Sequence, residues 1–313
     1  MTAYPAIAIT STSFSARVFW PYFAGLTVLV LGLASVLRDD FRRVRGADRV
    51  VVFGRILFAA PLGVFGAEHL TAASDIAQII PPWFPAHLFW TWLAGIALLA
   101  AAVSIAVKRF SGLAATLLGI MLLSFVLVIH IPGEIANPGN RLLIAVILRD
   151  LSFSAGAFAL ASTQANEPWH RAARGAATGA RYIVGSVLLF FGVQHVLHPE
   201  FVPVVPLALK TPAYIPFHDF WAYGVGASLL AGGFSLLANW RARLATTWLG
   251  IVVCVVVLLV YLPVLVASPA DIGVAMNYFA DTLLVGGNLL VLASSLPKSM
   301  DMPGASRTAP ASV

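Results

Sequence analysis

The feature that most constrains this chain is a series of nine apolar runs bounded by charges or by Pro and Gly breaks: residues 18–36, 52–70, 88–107, 112–131, 143–162, 182–197, 219–238, 244–266 and 275–295. A helix rises about 1.5 Å per residue, so roughly 20 such residues cross a hydrocarbon core about 30 Å thick with every backbone polar group satisfied internally. Of the 313 residues, 60% are hydrophobic and only 10% charged, and the mean hydropathy is +0.91. A water-soluble domain of this length could not cover its surface with so few charges. A secreted soluble enzyme, a disordered chain and a disulfide scaffold are thereby excluded, and the single Cys254 has no second thiol to pair with in the chain. The expected fold class is all-α: a polytopic membrane protein with about nine transmembrane helices.

The net charge of +6 is a statement about topology once the cations are placed. Before the first run stands Arg17, and after it come Arg38, Arg42, Arg43, Arg45 and Arg49, the reverse of a cleavable signal peptide. The run reads as a retained anchor with its N-terminus outside. Crossing the membrane at each run then puts fifteen Lys and Arg on one side and three (Arg17, Arg141 and Lys210) on the other, with Arg149 inside a span. By the positive-inside rule the expectation is a multi-pass protein of the cell membrane, its C-terminus cytoplasmic and its natural partner the lipid bilayer. No nucleic-acid patch is left to assign.

The chain also repeats itself. Residues 55–70 align with 181–196 at an offset of 126, superimposing Arg55 on Arg181, Phe65 on Phe191, Gly66 on Gly192 and His69 on His195. A five-residue insertion then moves the offset to 131, at which Pro81/Pro212, His87/His218, Trp90/Trp221, Gly95/Gly226, Gly119/Gly250, Pro132/Pro263, Asp150/Asp281 and Gly156/Gly287 coincide. Each copy contains four spans, an even number, so both enter from the same side and form parallel repeats related by a pseudo-twofold along the membrane normal. The expected organisation is an N-terminal helix with a basic cytoplasmic loop (1–50), a first four-helix unit (51–163), a cytoplasmic linker (164–180), a second four-helix unit (181–296) and a disordered tail (297–313).

Gly66-Ala-Glu-His69, the loop ending Ile80-Pro81-Pro82-Trp83-Phe84-Pro85, the Trp90-x4-Gly95 spacing and the basic Lys108-Arg109 turn resemble the DoxX-like integral membrane proteins. On this resemblance the chain is a tandem duplication of the four-helix DoxX-like unit. The second copy departs from the pattern, with Thr211-Pro212 in place of the Pro-Pro pair and Gln194 in place of Glu68. The resemblance implies a subunit associated with a membrane oxidoreductase, handling quinone or protons and serving a redox partner protein. Quinone is the one cofactor it suggests; the sequence itself contains no nucleotide, flavin, dithiol or c-haem motif.

The repeated polar positions form a candidate layer near the outer leaflet: Glu68, His69, His87, His130 and Asp150 in the first unit, and Gln194, His195, His218, Tyr261 and Asp281 in the second. Ionisable groups inside a membrane cost several kcal/mol unless paired, so they are expected to face one interior. Proton transfer or ligand binding is one reading of the layer, and hydrogen bonding between helices is the other. Short antiparallel connections can set the fourth helix of a bundle beside its first, so Asp150 is expected near His69 and Asp281 near His195. Arg149, matched by Ala280, has three readings: a clamp for an anionic head group, a partner of Glu68, or a side chain snorkelling to the interface. Arg55 and Arg181, at the inner helix starts, are expected to anchor on lipid phosphate. Trp83, Trp90, Trp92, Trp221 and Tyr223 read as an interfacial belt, with stacking on a ligand as the alternative. No metal site is expected, because no paired histidine spacing occurs and Tyr261 replaces His130 in the second unit. No catalytic residue can be assigned and enzymatic activity stays open. Beside the oxidoreductase reading stand a carrier or binding protein for a small amphiphile or lipid, and a structural or assembly protein without catalysis.

Overall fold

The computed structural model describes residues 15–164 and 170–297, the side chains of 170–174 and 176–178 excepted. The expected disordered tail, apart from its first residue, and part of the linker lie outside the described residues. Among those described, nine helices are long and apolar enough to cross a membrane: α1 (Ala16–Asp39), α2 (Asp48–Thr71), α3 (His87–Val107), α4 (Ser111–Ala136), α5 (Arg141–Ser162), α6 (Gly179–Leu197), α7 (Phe220–Leu237), α8 (Ala242–Ala267) and α9 (Ile272–Ser295). Each falls within a few residues of an apolar run.

Eight of the helices close into a ring. Helices α2 to α9 pack in chain order, each on the next, and α9 returns to α2, while α5 and α9 also meet across the interior. The fourth helix of each unit therefore packs on the first helix of the other unit as well as on the third helix of its own, α5 against α6 and α9 against α2. In α2 and α9, 72% of the apolar window is buried, against 28% in α1, which lies on the outside of α2 and α3. Helices without a hydrophobic drive between them associate where small residues let backbones approach, and Gly54 and Gly287 mark the α2–α9 contact. A Cβ on Gly287 would run into the backbone of Leu57 and Phe58, and one on Gly54 would meet Leu290.

Several positions aligned by the sequence repeat share their local geometry. A Cβ on Gly66 would stand 2.9 Å from the Gly95 carbonyl and 2.8 Å from Leu99, and one on Gly192 would stand 3.0 Å from the Gly226 carbonyl and 2.6 Å from Leu230. Left-handed backbone is uncommon at residues other than glycine. It nevertheless recurs in register at Ala86 and Phe217 (φ 55° and 61°), Lys108 and Asn239 (60° and 54°), and Phe110 and Arg241 (55° and 46°). A π-helical turn spans Val126–His130 in α4 and another Val257–Tyr261 in α8, each shortly before Pro132 or Pro263. Proline has no N–H for the carbonyl four residues back and its ring crowds that carbonyl, so a local change of pitch is a natural response. It also resets the direction in which His130 and Tyr261 leave their helices.

Candidate functional site: a buried charge cluster beside a lipid-facing cavity

Asp150 on α5 and Asp281 on α9, equivalent positions in the two units, face one another where those helices meet. Arg149 joins them: its Nε donates to Asp150 Oδ1 at 2.9 Å and its Nη1 to Asp281 Oδ2 at 2.5 Å. Adjacent residues on a helix point about 100° apart, but the guanidinium is a rigid fork on a long stem and can serve both carboxylates. His130 completes the cluster, its Nε2 lying 3.0 Å from Asp150 Oδ2. The side chains of Asp150, Asp281, His130 and Arg149 are 8%, 11%, 14% and 18% exposed, so each charge depends on the others rather than on water. Beside them Asn277, one turn before Asp281, donates to Glu68 Oε1 at 3.0 Å. A lone charge at such depth costs several kcal/mol, and the pairing removes most of that penalty.

Next to the cluster lies a cavity of about 410 Å³ between α3, α4 and the loop that joins α2 to α3. Its walls are Leu93, Ala94, Leu117, Ile120 and Phe125, its roof Ile79 and Phe84, and its polar rim His69, Thr91 and His130. Leu93, Leu117 and Ile120 are about half exposed on membrane-spanning helices, so the cavity opens towards acyl chains. His69 Nδ1 is held by the Phe65 carbonyl at 2.7 Å, which makes Nδ1 the donor and leaves Nε2 as an acceptor. Among the described residues none donates to that Nε2. His130 thus belongs both to the cavity wall and to the carboxylate cluster.

The second unit treats the matching groups differently. His195 Nδ1 meets the Phe191 carbonyl at 2.6 Å, as in the first unit, but its Nε2 accepts the Val204 N–H at 2.8 Å. Tyr261, the counterpart of His130, donates its hydroxyl to the Pro203 carbonyl. The loop 198–210, made longer by the insertion, carries Val202, Val204 and Val205 into the interior, each at most 1% exposed. Helices pin it from several sides: Arg141 of α5 donates to the carbonyls of Pro206 and Leu207, and the Tyr278 hydroxyl accepts the N–H groups of Ala208 and Leu209 at 2.9 Å each.

The candidate layer is therefore brought together only in part. Asp150 and Asp281 bind Arg149 with His130 on Asp150, Glu68 lies beside them on Asn277, His69 reaches the cavity, and His195 and Tyr261 hold the loop. Gln194 is half-buried, and its Oε1 is without a hydrogen-bond partner. His87 and His218 stand apart at the rim; His218 is exposed and bonds the Pro212 carbonyl at 3.0 Å. The expected pairs of His69 with Asp150 and His195 with Asp281 do not form, because each fourth helix closes on the other unit. Arg149 neither snorkels nor pairs with Glu68; two carboxylates in reach outweigh either alternative. Nor does Arg55 seek lipid phosphate: it is buried, donates to the carbonyls of Ile105 and Ala106 at 2.7 and 2.5 Å, and meets Asp40 at 3.2 Å. Arg181 is not in that position; it folds over the Tyr182 ring at 4.6 Å. Of the aromatics, Trp90 lines the cavity, while Trp83 and Trp92 are exposed as belt residues are. Among the described residues no three His, Cys, Asp or Glu side chains are grouped to hold a metal ion. Sequence reasoning overlooked Asn277 and the loop 198–210. The clue to Arg149 was its lack of a counterpart, since one cation between two equivalent anions can serve both.

Fold and site together define an all-helical, multi-pass membrane protein with a buried ionic cluster that ties α5 to α9. Comparison with protein-family models, curated proteins and solved structures gives no match.

Proposed function

We propose that the chain is a DoxX-like subunit of a membrane oxidoreductase that handles a quinol and its protons near the outer leaflet of the cell membrane. The observation that carries this reading is His130, which lines an apolar cavity open to lipid and is bonded to a carboxylate of the buried cluster. A quinol in the cavity releases two protons and two electrons on oxidation. The electrons pass to a redox partner protein, and the two head-group hydroxyls give up their protons one after the other through the imidazole to water on the outer side. With Nε2 committed to Asp150, Nδ1 is the nitrogen left for the head group. A neutral His130 accepts there from a hydroxyl, and a protonated one donates to a carbonyl. Asp150 steadies the imidazolium, and Arg149 pairs with both carboxylates beside it.

Asp150→Asn tests this in membranes supplied with a decyl-substituted benzoquinol. The amide can still bond His130 across the helices but carries no negative charge to stabilise the imidazolium. Turnover should fall about 10²-fold or more, in line with general acid–base contributions, while the folded amount stays near that of the parent. A loss no greater than the loss of folded protein would leave the cluster as a structural tie and defeat the proton role.

The orientation belongs to the same proposal, with the N-terminus outside and the cavity end of the bundle facing the outer leaflet. A reporter that requires the cytoplasm should be active when fused after Leu296 and silent in the loop around Lys210. The opposite pattern would invert the assignment.

A further inference from the structure

One peptide bond of the second unit stands where the first unit offers open space. The Pro203–Val204 peptide gives its N–H to His195 Nε2 at 2.8 Å and takes the Tyr261 hydroxyl on its carbonyl. His195 and Tyr261 are the repeat counterparts of His69 and His130, and in the first unit those two side chains border the 410 Å³ cavity. The acceptor character of the first histidine is set identically in both units, by a ring nitrogen bonded to the carbonyl four residues earlier, at 2.7 Å in one and 2.6 Å in the other. What differs is the connecting loop. In the second unit its extra residues let Val202 to Val205 bury themselves; in the first, the shorter loop carries Ile79 and Phe84 only as far as the cavity roof.

We infer that the first unit's cavity binds one amphiphile per chain, whose head donates a hydrogen bond to His69 Nε2 and exchanges one with His130, as the Pro203–Val204 peptide does with their counterparts, while the second unit is occupied by its own loop. The tail lies along Leu93, Leu117 and Ile120, which continue the cavity wall towards lipid. A volume in the range of small-molecule pockets, apolar except for a few convergent polar groups, suits a ring-sized or amide-sized head followed by several methylenes. The inference shares its cavity with the proposed function and deepens it. It requires a paired donor and acceptor in the head, which a hydroquinone has and which a redox-inert carboxamide has equally.

The test uses the full chain purified in lipid nanodiscs and two probes with the same tail, decyl-substituted benzoquinol kept under argon and decanamide. Equilibrium binding is read with its stoichiometry. Both probes are expected to saturate at one per chain. His69→Phe, which removes the acceptor, should weaken both by tenfold or more. Ser124→Trp should do the same by filling the lipid-side wall, where Ser124 is exposed and bonds only within its own helix, to the Met121 carbonyl at 2.7 Å. Should His69→Phe fail to fold, Ser124→Trp alone decides. Saturation by decanamide without binding of the quinol would uphold the site and end the quinone reading. Two probes per chain would overturn the occupied second unit. No binding, or binding that both folded variants leave unchanged, would overturn the inference as a whole.

Discussion

Arg149→Met is expected to remove most of the folded protein from the membrane. In the parent, one guanidinium satisfies two buried carboxylates, at 2.9 Å on Asp150 and 2.5 Å on Asp281. Methionine fills similar space but leaves two anions facing each other in a low-dielectric interior, with only His130 to compensate. Breaking a buried pair by removing one partner typically costs about 3–5 kcal/mol, because the orphaned charge keeps its desolvation penalty. That is comparable with the whole stability of many domains. The double substitution Arg149→Met with Asp281→Asn should recover more than half of the loss, since Asp150 then keeps His130 and no second anion opposes it. Folded yield after solubilisation and the thermal midpoint measure both effects. An unchanged midpoint in the single variant would show that the bridge contributes nothing to holding α5 against α9.

Gly287→Ala is expected to open the ring at its closing contact. The added methyl carbon would run into the backbone of Leu57 and Phe58 on α2, and backbone cannot rotate aside as a side chain can. Overpacking of a tight interior costs about 1–3 kcal/mol, and the upper part of that range applies where neither helix can shift without losing its neighbours. Gly175→Ala is the contrast: nothing lies within 4 Å of its added carbon, and its helical backbone has no positive φ. There alanine should be neutral or stabilise by up to about 1 kcal/mol through helix propensity. Thermal midpoints of the two variants, measured side by side, check the difference. Equal midpoints would mean that α2 and α9 do not approach as closely as the structure has them.

Much of this architecture was legible beforehand, for local reasons. A run such as 244–266 must be helical in a bilayer because lipid offers its backbone no other hydrogen-bond partner. The repeat was legible because pairs such as Gly66/Gly192 and Gly95/Gly226 serve close approach, which only glycine permits, and so persist in both copies. The polar layer could be enumerated, yet its pairing could not. His69 and Asp150 lie at compatible depths on helices of one unit, and nothing in either segment says that α5 will lean on α6 instead of α2. The loop 198–210 was visible only as an insertion. That Val204 caps His195 depends on helices far away in the chain holding that loop inward.

Sequence by itself determined the number of crossings, the duplication and the identity of the ionisable residues that must find partners in the membrane. These follow from transfer free energies and helix geometry, which depend on neighbouring residues alone. Tertiary structure decided how the two units interlock, that Asp150 and Asp281 share Arg149 between α5 and α9, and that one histidine borders a cavity while its twin is capped by a loop. The physical reason is that helices in lipid gain little from burying apolar surface against one another. Their partners are chosen by small-residue contacts and polar pairs between distant segments, and those are properties of the assembled bundle.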